Sequence, residues 1–167
     1  MKPLTERIHE AKTLLEKNLK EKFPNKKRED IKVGVTFGAF DLCHAGHMLM
    51  FEEAKGQCDY FIVGLDADPA LTPASYRGKQ KHHPVMSIPE RHIILSSIKH
   101  IDQIFDYFAE EEVRDFLKEL MPDVRIIGAD WKDKKPTGHE LPIKMFYNSR
   151  NHGYSTTELI QRIRDRK

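Results

Sequence analysis

Two histidines, His44 and His47, stand three positions apart around a glycine in the run Gly38-Ala39-Phe40-Asp41-Leu42-Cys43-His44-Ala45-Gly46-His47. On the first turn of a helix, residues at that spacing share a face, so both imidazoles would point toward whatever lies on the helix N-terminus. Free amides and the helix dipole make that end attractive to phosphate. Gly46 lets a ligand approach the backbone closely, and Gly38 is expected to permit the tight turn before it. The chemistry implied is two nitrogen donors meeting one phosphate group. A pair of purely capping histidines is the plain alternative, and a zinc site with Cys43 is a third reading. Adjacent Cys43 and His44 point in different directions, and neither Cys43 nor Cys58 has a metal or disulfide spacing.

Further chemistry-bearing groups lie farther along. Ser155, Thr156 and Thr157 precede Glu158, and Ser155-x-x-Glu158 fits a capping box. The same hydroxyls and amides would offer a second helix N-terminus to phosphate oxygens. Arg77, Lys79 and Lys81 lie in RGKQKHHPVMSIPER (77–91). Gly78 and the charges around it predict a lid over 72–86 that orders when ligands bind. Asp66 and Asp68 follow one apolar run, in GLDAD, and Asp130 and Trp131 follow another, in GADW.

These groups need a scaffold that gathers loops at one edge. Short β-branched runs at 31–37, 60–65, 100–105, 124–129 and 143–148 predict buried strands. Helical stretches are expected at 45–57, 89–98, 110–120 and from Ser155 to about Arg166. Strands and helices alternating at this spacing imply right-handed crossovers and a parallel, doubly wound α/β sheet. Ligands bind beyond the carboxyl ends of such strands, where the strand order reverses. The loops to read are therefore 38–47, 66–88 and 128–142. Ahead of the pattern, Ile8, Ala11, Leu15, Leu19 and Phe23 form an apolar stripe on a helix capped by Thr5 and stopped by Pro24 and Asn25. That helix and the connector Lys26-Lys27-Arg28 form an N-terminal element, residues 1–30, ahead of a domain spanning 31–167. The helix is expected to pack or to pair two copies rather than to catalyse.

The 167 residues allow one compact domain with an appended element. Lys and Arg number 28 against 26 Asp and Glu, too small an excess to argue for a polyanion partner. Residues 1–32 carry ten basic and six acidic side chains, so the rest carry 18 and 20. Nucleic-acid binding would have to use Lys20–Lys32, and ranks last. Two cysteines without a disulfide spacing predict a reduced, cytoplasmic setting. Met1–Lys22 contains no apolar run of signal-peptide or membrane-spanning length, so no membrane insertion is expected.

The first motif, GAFDLCHAGH, resembles the G-T-F-D-x-x-H-x-G-H signature of the cytidylyltransferase branch of the HxGH nucleotidyltransferases. The stretch 77–91 resembles that family's lysine loop and E-R helix start, GADW matches its G-x-D-W form, and RNHGYSTTELI (150–160) resembles R-T-x-G-I-S-T-T-x-I-I. The four motifs come in the family's order, from Gly34 to about Ile163. The resemblance implies a Rossmann-like nucleotidyltransferase domain and a reaction in which a phosphate oxygen of a small phosphomonoester attacks the α-phosphorus of a nucleoside triphosphate. Pyrophosphate leaves with no covalent enzyme intermediate. It assigns catalysis to His44, His47, Lys79 and Arg150. The nucleotide would lie on Phe37, Gly38, Ala39, Phe40, Asp41 and Gly46, on Arg91, on Gly128, Asp130 and Trp131, and on Tyr154, Ser155, Thr156 and Thr157. The acceptor would meet Asp68, Arg77 and Trp131.

Magnesium is expected to arrive with the triphosphate, its protein ligands unassigned, and a homodimer is expected from the resemblance. The leading expectation is CTP and a glycerol-3-phosphate-like acceptor. RGK and PVM before Pro89 also resemble heptose-phosphate nucleotidyltransferases, which use ATP. An ethanolamine- or choline-phosphate enzyme is a further possibility within the class, and a nucleotide-binding regulatory module without turnover is one outside it. Ala39 for Thr, Asn151-His152 for T-x and Tyr154 for Ile depart from the pattern.

Overall fold

The computed structural model describes residues 2–71 and 82–166. Arg77, Lys79, Lys81 and most of the expected lid lie outside the described residues. Five strands, β1 (Val33–Gly38), β2 (Tyr60–Asp66), β3 (Gln103–Tyr107), β4 (Val124–Gly128) and β5 (Lys144–Asn148), form one sheet in the order β3-β2-β1-β4-β5, every pairing parallel. The chain winds outward from β1 to β2 and β3, then returns to the other side of β1 for β4 and β5. The order therefore reverses between β1 and β4, which places a crevice at their carboxyl ends.

Helices α1 (Leu4–Lys22), α2 (Ala45–Lys55), α3 (Ile88–Ser96), α4 (Glu110–Leu120) and α5 (Thr156–Arg164) accompany the sheet. β2 is buried along its whole length, as an apolar parallel strand covered on both faces must be. One face of the sheet, with Val33, Val35, Tyr60, Ile62, Phe105 and Tyr107, packs against Ile8, Ala11, Leu15 and Leu19 of α1 and Val113, Phe116, Leu117 and Leu120 of α4. The opposite face, with Phe61, Val63, Leu65, Val124 and Ile126, packs against Phe51 and Ala54 of α2 and Leu95 of α3. The stripe on α1 thus belongs to the main core. Arg7 fastens it there with two bonds to Glu112, at 2.9 and 2.6 Å. Asp102 accepts from Lys22 of α1, from Lys55 of α2 at 2.5 Å and from the Phe61 amide at 2.7 Å, joining both layers to the sheet. Among the described residues no helix is long and apolar enough to cross a membrane.

Three local expectations are corrected. The helix α1 starts at Leu4 behind Pro3, not at a Thr5 cap: the Pro3 carbonyl takes the Arg7 amide at 3.1 Å, and no side chain caps the end. The third strand runs from Gln103 rather than His100, because Ile98 to Asp102 complete a turn, with the Ile101 amide on the Ile98 carbonyl at 3.0 Å. The tight turn after β1 is made by Phe40 and Leu42, with φ of 49° and 45°, and not by Gly38, whose φ is not positive. Two side chains held in the left-handed region signal a loop fixed by its surroundings.

Candidate active site

At the sheet's reversal point lies a cavity of about 750 Å³, toward the upper end of the roughly 300–1,000 Å³ usual for small-molecule sites. Its floor is the ends of β1 and β4: Thr36, Phe37, Gly38 and Ala39 on one side, Ile126, Ile127 and Gly128 on the other. Helix α2 points its N-terminus at this floor. His44 is the N-cap residue, and its Nδ1 accepts the Gly46 amide at 3.1 Å. His47 turns back so that its own Nδ1 accepts the His44 amide at 3.3 Å. The rings stack at 4.0 Å between centroids, and Phe40 abuts His47 edge-on at 5.5 Å. Since both Nδ1 atoms accept, each neutral imidazole carries its proton on Nε2, where it is free to donate. Capping and ligand donation are therefore served by opposite edges of the same rings.

The surroundings keep those rings neutral. Burial, then the charges of His44, Arg150 and His152, push the His47 pKa down to about 3. Burial, with His152, Arg150 and Arg162, also lowers His44, while Glu158 opposes them. Cys43 is pushed up to about 11 by burial, so it is a thiol at neutral pH and a poor zinc ligand. Among the described residues, no three of His, Cys, Asp and Glu converge as a metal-binding group.

Much of the remaining wall comes from the segments after β4 and β5. Gly128, Asp130, Trp131, Arg150, Tyr154, Ser155, Thr156 and Thr157 all line the cavity, as the sequence predicts, alongside His44, Gly46 and His47. Arg150 Nη1 stands 3.5 Å from Asp130 Oδ1, and Lys134 sits 5.4 Å from the centre of the Trp131 ring. Ser155 caps α5 by accepting the Glu158 amide at 3.1 Å; among the described hydrogen bonds the return bond of a full capping box is absent.

Three expected ligand contacts fall elsewhere. Arg91 is 1% exposed and lies outside the cavity wall. Its guanidinium donates to the carbonyls of Met86, Ala39, Asp66 and Ala67 at 2.6–3.1 Å. These acceptors consume the donors a phosphate would need, so Arg91 positions three loops instead. Asp41 accepts the Val85 and Met86 amides, both at 2.9 Å, and its carbonyl takes the Thr156 hydroxyl at 3.3 Å, so it ties loops together without lining the cavity. Asp68 accepts the Ala70 amide at 3.0 Å, pairs with His83 Nδ1 at 2.6 Å, and also lies off the wall.

Arg125 and Glu110, which sequence reasoning passed over, and His152, which it named only as a departure from the family's pattern, line the cavity too. A Cβ on Gly46 would stand 2.7 Å from His152 Cε1, so the glycine makes room for a third imidazole. The signal for Arg125 was a cation inside an otherwise apolar strand run, VRIIGA.

The family described as cytidylyltransferase-like matches residues 35–162. The chain belongs to this family. Among curated relatives, the bifunctional protein HldE of Campylobacter jejuni subsp. jejuni serotype O:6 is 36% identical over 143 residues, covering 84% of this chain and 30% of that protein. HldE of Paramagnetospirillum magneticum is 35% identical over 141 residues, covering 82% and 28%. The chain thus spans less than a third of the length of these relatives. The crystal structure of a lipopolysaccharide core biosynthesis protein from Thermoplasma volcanium GSS1 superposes with a TM-score of 0.56 at 23% identity, over 71% of this chain and 97% of that one, and shares the fold. In this cytidylyltransferase-like chain the matched span runs from β1 into α5 and contains every described residue of the cavity wall, while α1 precedes it.

Proposed function

We propose that the chain transfers an adenylyl group from ATP to a heptose-phosphate-like sugar phosphate. An oxygen of the acceptor phosphate forms the new bond to the α-phosphorus, the bond from that phosphorus to the bridging oxygen breaks, and pyrophosphate leaves with the electron pair. The observation that carries nucleotidyl transfer is the paired His44 and His47 geometry at the N-terminus of α2. Two neutral imidazoles, held by their Nδ1 atoms, keep Nε2–H donors in place for charge building on the α-phosphate, where preorganised donors contribute most. Arg150 and the α5 N-terminus, with Ser155, Thr156 and Thr157, neutralise the β- and γ-phosphates. Lys79 keeps the phosphate-contacting role the family resemblance gives it. The acceptor phosphate is already ionised near neutral pH, so no general base is required.

Magnesium enters on the triphosphate. On that reading it is held by phosphate oxygens and retained waters, as magnesium prefers.

The choice of ATP and sugar phosphate over CTP and glycerol 3-phosphate is supported by the likeness to HldE proteins together with the resemblance of the RGK and PVM segments to heptose-phosphate nucleotidyltransferases. Pyrophosphate release should be measured with ATP and with CTP, each against heptose 1-phosphate, mannose 1-phosphate and glycerol 3-phosphate. Release with ATP and a sugar phosphate is the expected result. Release confined to CTP and glycerol 3-phosphate would return the assignment to a cytidylyltransferase, and triphosphate binding without release under any pairing would leave a regulatory nucleotide-binding module.

A further inference from the structure

The cavity has an inner wall that nucleotidyl transfer, as described above, does not use. Arg125 of β4 is 4% exposed, and Glu110, the first residue of α4, is 9% exposed; both line the cavity. The guanidinium stacks 5.3 Å from the centre of the Phe37 ring and donates from Nη1 to the Thr137 carbonyl. The Thr137 hydroxyl in turn donates to Glu110 Oε1 at 2.9 Å, and Arg125 lies within the field of the Glu110 charge. Arg125 Nε is also buried and has no hydrogen-bond partner among the described residues. A buried guanidinium N–H without an acceptor is rare in folded proteins, because its lost hydration is not repaid. Because Arg125 also lines the cavity, a molecule bound there can meet its guanidinium.

The position and charge of this pair say which molecule. Arg150 and Ser155 to Thr157 follow β5 on one flank of the sheet, whereas Tyr107, which also lines the cavity, and Glu110 follow β3 at the other. Glu110 and Tyr107 therefore approach from the flank opposite the α5 N-terminus, while Arg125 reaches the same wall from β4, between the two. A carboxylate beside a guanidinium is close to neutral overall, which suits uncharged hydroxyls better than a further phosphate. The carboxylate accepts from one hydroxyl while the guanidinium donates to the next.

We infer that Arg125 and Glu110 form the pocket for the hydroxyl-bearing carbons of the acceptor, and so select a sugar or polyol phosphate. The pocket rests on the nucleotidyl-transfer reading and extends it to the choice of acceptor. The phosphate of a molecule held here faces His44 and His47, and its hydroxyl chain runs back toward α4.

Calorimetric titrations of the full chain, wild type, Glu110→Gln and Arg125→Met, with mannose 1-phosphate, glycerol 3-phosphate, inorganic phosphate and ATP, test this. Wild type should bind at least one of the two organic phosphates more tightly than inorganic phosphate. Each variant should weaken that binding by about tenfold or more, the scale of one lost buried hydrogen bond, with ATP and inorganic phosphate little changed. Glu110→Gln keeps the shape of the side chain and decides the matter if Arg125→Met does not fold, as judged by circular dichroism. A parallel loss of ATP affinity would assign the wall to the nucleotide, and no preference for organic phosphates in wild type, or no loss in either variant, would overturn the pocket. Pyrophosphate release by wild type reports separately: selective binding without release would leave the pocket standing and remove the transfer reaction.

Discussion

Acid should destabilise this fold through His47, and an asparagine there should remove much of the effect. The imidazole titrates near 6.5 when exposed and near 3 in the folded chain, where burial and the neighbouring cations disfavour its charge. Between those values the unfolded chain takes up a proton that the folded chain refuses, so stability falls as pH drops from about 6.5 toward 3 and is fully recovered above that window. At pH 5 the unfolded state gains about 2 kcal/mol from this one group, from the ratio of protonated to neutral imidazole at that pH. Asparagine retains an acceptor near the place of Nδ1, so the bond from the His44 amide survives. Urea unfolding at pH 7 and pH 5 is the assay. Wild type should lose about 2 kcal/mol more than His47→Asn on acidification. Equal losses in the two proteins would show that His47 titrates normally when folded and is not held neutral by its site.

Turnover should fall by about two powers of ten in either His44→Ala or His47→Ala, the scale for one preorganised donor, with near-normal turnover in a folded variant counting against their role. Arg91→Leu should cost about 3 kcal/mol or more, since four carbonyls lose their buried donor, and lower the melting temperature by roughly 6–12 °C; a shift under about 2 °C would mean that the buried bonds contribute little. The Arg7 and Glu112 pair, 12% and 14% exposed, should show a coupling of about 1–3 kcal/mol in a double-mutant cycle with Arg7→Met and Glu112→Gln. Additive effects would mean that this ion pair does not help to hold α1.

The parts of the site that could be read along the chain are those whose chemistry is local. His44-x-x-His47 on a helix start, and Ser155 three residues before Glu158, are short-range geometries that the fold only had to aim. The β2 run was legible because burial on both faces leaves an unbroken apolar segment. At the sheet's edge the pattern misled: β3 buries Gln103, Phe105 and Tyr107, and Gln103 is sheltered only because it bonds the Ala11 carbonyl of α1 at 2.8 Å. Arg91 looked like a phosphate ligand because the carbonyls that claim it come from loops up to 52 positions away. Arg125 and Glu110 are separated by fifteen positions and are bridged by Thr137, in a loop without a motif of its own. The α3 cap, by contrast, was in plain view: Ser87 and Glu90 form a complete capping box that moves the helix start ahead of Pro89.

The proposed reaction joins the acceptor phosphate directly to the α-phosphorus, and the fate of labelled oxygen follows that step atom by atom. Mannose 1-phosphate enriched with oxygen-18 in its non-ester oxygens should be incubated with the protein, ATP and magnesium, and the products followed by phosphorus NMR. The expected product is a nucleoside diphosphate sugar whose label stays on the sugar-side phosphorus and in the bridge to the α-phosphorus, with unlabelled pyrophosphate. Label in pyrophosphate, label in free phosphate, or release of AMP without a joined product would contradict it.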